Sequence, residues 1–260
     1  MILDRLKQKA LNCAKRNKLK LVNFEICDLF TYAVVSDGTK EFTGVTLTPK
    51  KEGCLNKAAF LDIKEVLESS SYDISQRAVI LALVNAIGQY KLSKDKIELK
   101  GNIQQELSTR ILENTADTDK IVFIGHLSPV VAKMKENGRD VKVFCRMGTD
   151  PDNGVYNDIF EYEAVAKATV VIITGASLIG STIDALLKFT QNARAVVIAG
   201  FSAGAHPAWF EDTGLTHVVS THLEDFSPEI IKKNNLEDVF KNPSYVYKLK
   251  SAGAFNFALQ

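Results

Sequence analysis

Residues 169–182, TVVIITGASLIGST, constrain the fold of this chain more than any other stretch. Val170, Val171, Ile172 and Ile173 make a continuous β-branched run, as expected of a strand buried on both faces of a parallel sheet. The run breaks at Gly175, which can turn sharply, and Ser181 or Thr182 can cap a helix running through Ile183 to Phe189. In α/β proteins the free N–H groups and positive end of such a helix face a polar or anionic ligand held above the strand. Gly175, Ser177, Gly180, Ser181 and Thr182 are therefore candidate ligand contacts.

The same rhythm continues on either side. Strands are expected at 120–124, 141–145, 169–174, 195–199 and 217–221, with helices near 128–137, 158–167, 181–191, 205–212 and 227–233. That alternation predicts a doubly wound α/β domain with a parallel sheet. Upstream the pattern differs. An amphipathic helix turns Ile2, Leu3, Leu6 and Ala10 inward, and residues 20–48 read as antiparallel strands with a tight turn at Ser36-Asp37-Gly38. A short helix over 62–68 and a longer one over 74–90 follow, the second capped by Ser71 or Asp73 and apolar around most of its circumference. Residues 94–119 turn polar, as suits a connecting helix. The expected division is an α+β domain over 1–100 and an α/β domain over 101–260. In the tail, Tyr245, Tyr247, Phe255 and Phe257 alternate and can add a strand or cover an interface.

Composition narrows the partners. The 260 residues carry a net charge of +1, with 46% hydrophobic and 24% charged residues, which speaks against nucleic acid or an anionic membrane surface. The amino-terminal stretch contains Asp4 and lacks the apolar core of a signal peptide, and no run has the length of a membrane span, so the cytoplasm is the expected location. A homo-oligomer is compatible with all of this. Cys13, Cys27 and Cys54 form no Cys-x-x-Cys pair and read as ordinary small residues.

Ligands of open parallel sheets bind outside the carboxyl ends of the strands. The residues expected there are Gly125, His126, Ser128 and Pro129, then Cys145 and Arg146, then Gly175, Ser177 and Gly180, then Gly200, Ser202, Gly204 and His206, and last His222. Three of the four histidines fall on this edge. With Cys145, the histidines His126, His206 and His222 are candidate ligands for a transition metal, although no two stand at helical spacing. A dinucleotide is disfavoured. Gly125-His126-Leu127-Ser128-Pro129 lacks the second and third glycines of the fingerprint, and Cys145-Arg146 stands where its acidic residue belongs. Gly200-Phe201-Ser202-Ala203-Gly204 has the spacing of a nucleophile elbow, but a triad would need forced partners after it. Asn85, inside the apolar helix, requires a hydrogen-bond partner or offers a polar group to the cleft.

Several segments together resemble a known family: Ala82-Leu83-Val84-Asn85-Ala86, Ile124-Gly125-His126-Leu127-Ser128-Pro129, residues 171–184 and the glycine/serine loop after Ala199. The family is the one named "putative heavy-metal chelation", a domain of unknown function, and the resemblance covers nearly the whole chain. It implies an enolase N-terminal-like domain followed by a Rossmann-like domain. The chain departs from the family pattern at His126, where an aromatic is usual, at Cys145-Arg146, where a Glu-Arg pair is usual, and at Gly180, where an asparagine is usual. The expected function is binding of a transition metal, or of a metal-chelating small molecule, in the cleft between the domains. Expected contacts are Asn85, Gly125, Ser128, Arg146, Gly175, Ser177, Gly180, Ser181, Thr182 and Ser202, with His126, Cys145, His206 and His222 for metal. The alternative is an enzyme acting on a small anionic or nucleotide-like substrate held at the helix start after Gly180.

Overall fold

The structure is a computed structural model, and it describes residues 1–49, 62–95, 97–146, 148–223, 226, 229–230 and 240–252. Helix α1 (Ile2–Asn17) precedes three strands, β1 (Lys20–Ile26), β2 (Phe30–Ser36) and β3 (Glu41–Leu47), paired as an antiparallel meander. Helices α2 (Ile63–Glu68) and α3 (Ile74–Lys94) follow. Asp73 caps α3 by accepting from the amides of Ser75 and Gln76. Nearly every residue of α3 is buried, because one side packs on β2 and β3 and the other on the loop after residue 199. Two glycines make this approach feasible. A Cβ on Gly44 would lie 2.0 Å from the Ala86 amide nitrogen, and one on Gly88 would lie 2.6 Å from that of His206.

The remaining strands form one sheet. They are β4 (Lys100–Asn102), β5 (Lys120–Ile124), β6 (Asp140–Cys145), β7 (Val155–Asn157), β8 (Val170–Thr174), β9 (Ala195–Ala199), β10 (His217–Thr221) and β11 (Pro243–Lys248). Their order is β4-β11-β10-β9-β8-β5-β6-β7. The six strands from β7 to β10 are parallel, and the glycines after β5, β8 and β9 share one edge as the sequence predicts. Tyr245 and Tyr247 do contribute a strand, but β11 and β4 run antiparallel and make the sheet mixed. Phe255 and Phe257 lie outside the described residues.

Alternation along the strands covers both faces of this sheet. Val122, Ile124, Phe144, Val171, Ile173, Val196 and Ile198 join the core of α1 and α3. Ile121, Phe123, Val143, Ile172, Val197 and Val219 pack with residues of α4 (Ile103–Asn114) and α5 (Ser128–Glu136). Helix α6 (Glu161–Lys167) is where a helix was expected, whereas two others shrink. Over 181–191 there is only α7 (Thr182–Leu186) and a 3-10 turn at Leu187–Phe189, and over 205–212 only a 3-10 turn at Pro207–Phe210. Most of the helix expected at 227–233 lies outside the described residues, as does Cys54. No helix among the described residues is long and apolar enough to cross a membrane.

His217 opens β10 and is fully buried, and burial, with Lys248 nearby, lowers its pKa to about 4. The unfolded chain therefore takes up this proton first. The stabilisation is complete above about pH 6.5 and falls away as the pH drops towards 4, by of order 3 kcal/mol. Glu161 acts in the opposite sense, since burial and Asp158 push its carboxyl up to about 7. The comparison that isolates His217 is wild type against His217→Gln in urea denaturation at several pH values. The stability difference between the two proteins is expected to change across pH 4–6.5. A constant difference would contradict the assignment.

Candidate functional site

The parallel strand order reverses between β5 and β8: β6 and β7 lie on one side, β9 and β10 on the other. A cavity of about 510 Å³ opens at that switch point, where ligand sites of open α/β sheets are found. Its floor consists of Gly125 to Pro129 after β5, Thr174 at the end of β8 and Ala176 just beyond it, and Gly200, Phe201 and Ser202 after β9. Leu29, Phe30 and Leu47 of the small sheet, Ile103, Gln104 and Leu107 of α4, and Phe240 complete the walls. The surface is mostly apolar, and among the described residues no Asp, Glu, Lys, Arg or Cys lines it. Phe201 stands edge-on to Phe30, with ring centroids 5.0 Å apart, and also packs against Phe240 at 5.9 Å.

Local chemistry explains these walls. Gly125 takes φ +93°, and a Cβ there would come within 2.5 Å of the Thr174 methyl, so a side chain is excluded both by conformation and by space. Gly200 takes φ +103° and turns the chain out of β9. Ser202 Oγ accepts from the Leu47 amide at 3.1 Å, which pins the loop after β9 to the end of β3. From α3, Asn85 Nδ2 donates to the carbonyls of Val45 at 2.9 Å and Ser202 at 3.1 Å, so it is the tie between loop and helix that burial requires. Its Oδ1 is buried without a partner among the described residues.

Of the residues expected from sequence, Gly125, His126, Ser128, Pro129, Gly200 and Ser202 line the cavity; Asn85, Arg146, Gly175, Ser177, Gly180, Ser181 and Thr182 do not. Gly175 has no positive φ. It is a point of close packing, because a Cβ would lie 2.3 Å from the Ala203 amide nitrogen. Ser177 Oγ donates to the Thr174 carbonyl. Ser181 sits at φ +55° and caps nothing; its hydroxyl accepts from Arg77. Thr182 starts a helix of only five residues, and Asp184 in its first turn accepts from the Ile2 amide at the start of α1. A Cβ on Gly180 would touch only the Thr182 methyl, at 3.6 Å. Arg146 pairs with Asp158 at 2.9 Å on the surface beside Glu161.

The four candidate metal ligands are not gathered. Among the described residues no three His, Cys, Asp or Glu side chains are placed to hold a metal ion. His206 bonds through Nε2 to Asp95 Oδ2 at 2.9 Å, and His222 through Nδ1 to Gln89 Oε1 at 3.0 Å, both buried against α3. Burial, outweighing the Asp95 charge, lowers the pKa of His206. Cys145 is half-buried at the end of β6. His126 alone is exposed, at the cavity mouth.

Sequence reasoning missed Gln89 and the apolar walls. Leu29, Leu47, Ile103, Leu107 and Phe240 carry no motif and become neighbours only through tertiary packing. Gln89 had a signal, being a second amide one turn after Asn85 on the same apolar helix.

Fold and cavity together define a class: a two-sheet α/β protein with a mostly apolar cavity at the switch point of its larger sheet. The family profile described as "Putative heavy-metal chelation", DUF364, matches residues 109–258, and the chain belongs to that family. It is 30% identical to an uncharacterized protein of Methanocaldococcus jannaschii, over 96% of this chain and 98% of that one. A DUF364 protein of unknown function from Pyrococcus horikoshii shares the fold with a TM-score of 0.78 at 22% identity, over 96% of this chain and 100% of the other. Another from Desulfitobacterium hafniense has a TM-score of 0.72 at 14% identity, over 94% and 98%.

Proposed function

We propose that this chain binds an apolar metal-chelating small molecule, in which the chelator rather than the protein supplies most of the metal's ligands. The observation that carries this reading is the lining of the switch-point cavity, mostly apolar and, among the described residues, without an acidic or basic side chain other than His126. A bare divalent cation would lose its hydration there with no carboxylate or thiolate to replace it. A flat neutral chelate instead buries its organic face against Phe30, Phe201 and Leu107, at about 25 cal/mol per Å² of apolar surface. A polar group at one end, the Ser128 hydroxyl, would orient it.

The test compares two probes, copper(II) bis(8-hydroxyquinolinate) and free copper(II), by calorimetric titration. The chelate is expected to bind at least about tenfold more tightly than the free ion. Ala176→Phe, which fills the cavity from its floor, is expected to weaken the chelate by at least about tenfold while the melting transition shows the fold intact. Equal affinity for ion and chelate, or an unchanged affinity in the folded Ala176→Phe variant, would overturn the reading.

A further inference from the structure

We infer that His126 completes the coordination of a metal chelate held in the cavity, so that the ligand class is a flat chelate with one open position on its metal. This rests on the reading that the cavity takes a chelate. The argument begins with the four histidines of the chain. Three are engaged: His206 with Asp95 at 2.9 Å, His217 with Thr216 at 2.9 Å, and His222 with Gln89 at 3.0 Å. All three are also buried, with at most 5% exposure. The imidazole of His126 is exposed and makes no hydrogen bond or ion pair among the described residues.

The position of His126 gives that free imidazole a use. The left-handed turn at Gly125 sets it at the mouth of the cavity, two residues beyond the end of β5. Among the described residues, every other lining side chain is a poor donor to a soft or borderline transition metal: aliphatic, aromatic, hydroxyl or amide. One imidazole and an apolar slot cannot hold a bare ion, since a closed site needs about four ligands. They suit a metal whose remaining ligands arrive on a flat organic molecule. The organic face takes the apolar walls, and the metal edge meets the imidazole nitrogen at the solvent side. A fully saturated chelate has no position for His126 and gains nothing from it.

The experiment uses neutral copper(II) dipicolinate, a flat tridentate chelate with one exchangeable in-plane water. Pulsed EPR detects the remote nitrogen of a copper-bound imidazole directly. Wild type is expected to show imidazole modulations, and His126→Ala to lose them and bind the probe about tenfold or more weakly. With copper(II) bis(8-hydroxyquinolinate), whose in-plane positions are filled, wild type itself is expected to show no imidazole modulation. If both proteins bind copper dipicolinate equally and without imidazole modulation, the inference fails while the cavity reading stands. It fails in the same way if the bis-quinolinate binds and the dipicolinate does not. If neither chelate binds wild type, the proposed function falls and the inference falls with it.

Discussion

Replacing Gly44 by valine is expected to unfold the protein or to cost more than about 3 kcal/mol. The first atom of the new side chain would lie 2.0 Å from the Ala86 amide nitrogen, 2.3 Å from the Ala82 carbonyl oxygen and 2.6 Å from the Asn85 carbonyl carbon. All three are backbone atoms of α3, and none can swing aside as a flexible side chain would. Relief would require α3 to move off β3, and with it the contact that Gly88 makes on the loop after β9. Gly101→Ala is the control, because there the closest atom is the end of the Gln105 side chain at 3.3 Å. Urea denaturation of both variants checks the claim. A Gly44→Val protein within about 1 kcal/mol of wild type would show that α3 does not sit so close to the small sheet.

The second large effect is expected at Gln89, which is 1% exposed. Its Nε2 donates to the carbonyls of Gly204 at 3.2 Å and Thr221 at 3.3 Å. Its Oε1 accepts from the Leu223 amide at 2.8 Å and meets His222 Nδ1 at 3.0 Å. One side chain therefore ties α3 to the loop after β9 and to the end of β10. Gln89→Leu keeps the volume and removes all of these bonds. Each buried group left without its partner costs about 1–3 kcal/mol, and some relaxation is expected, so the loss should be about 3 kcal/mol or more. Faster hydrogen exchange at the Leu223 amide should accompany it. A loss below about 1 kcal/mol would mean that water takes over these bonds.

Much of the framework was legible from the sequence because it is written in local patterns. The β-branched runs gave β5, β6, β8, β9 and β10 to within a residue, and Asp73 was readable as a cap. The site was only partly legible. Gly125, His126, Ser128 and Ser202 follow strands and line the cavity, at the sheet edge where the rule for parallel sheets expects a ligand. Ser181 and Thr182 obeyed the same rule on paper, but Arg77 takes the serine hydroxyl and Asp184 binds the start of α1, contacts about 100 and 182 residues away in sequence.

The histidines show where local reading stops. His126 and His222 each follow a strand at the same sheet edge, so the sequence sets them level. The order β10-β9-β8-β5 then puts three strand spacings between their strands, about 14 Å, whereas metal–nitrogen bonds are about 2.0–2.1 Å. The sequence by itself determined the five central parallel strands of the larger sheet and which residues follow them at its carboxyl edge, because side-chain period and glycine breaks are properties of a few consecutive residues. Strand order, the burial of α3 between a meander and a loop, and the apolar walls of the cavity were decided by the tertiary structure alone. They depend on which distant surfaces exclude water together, and no short stretch of chain encodes that.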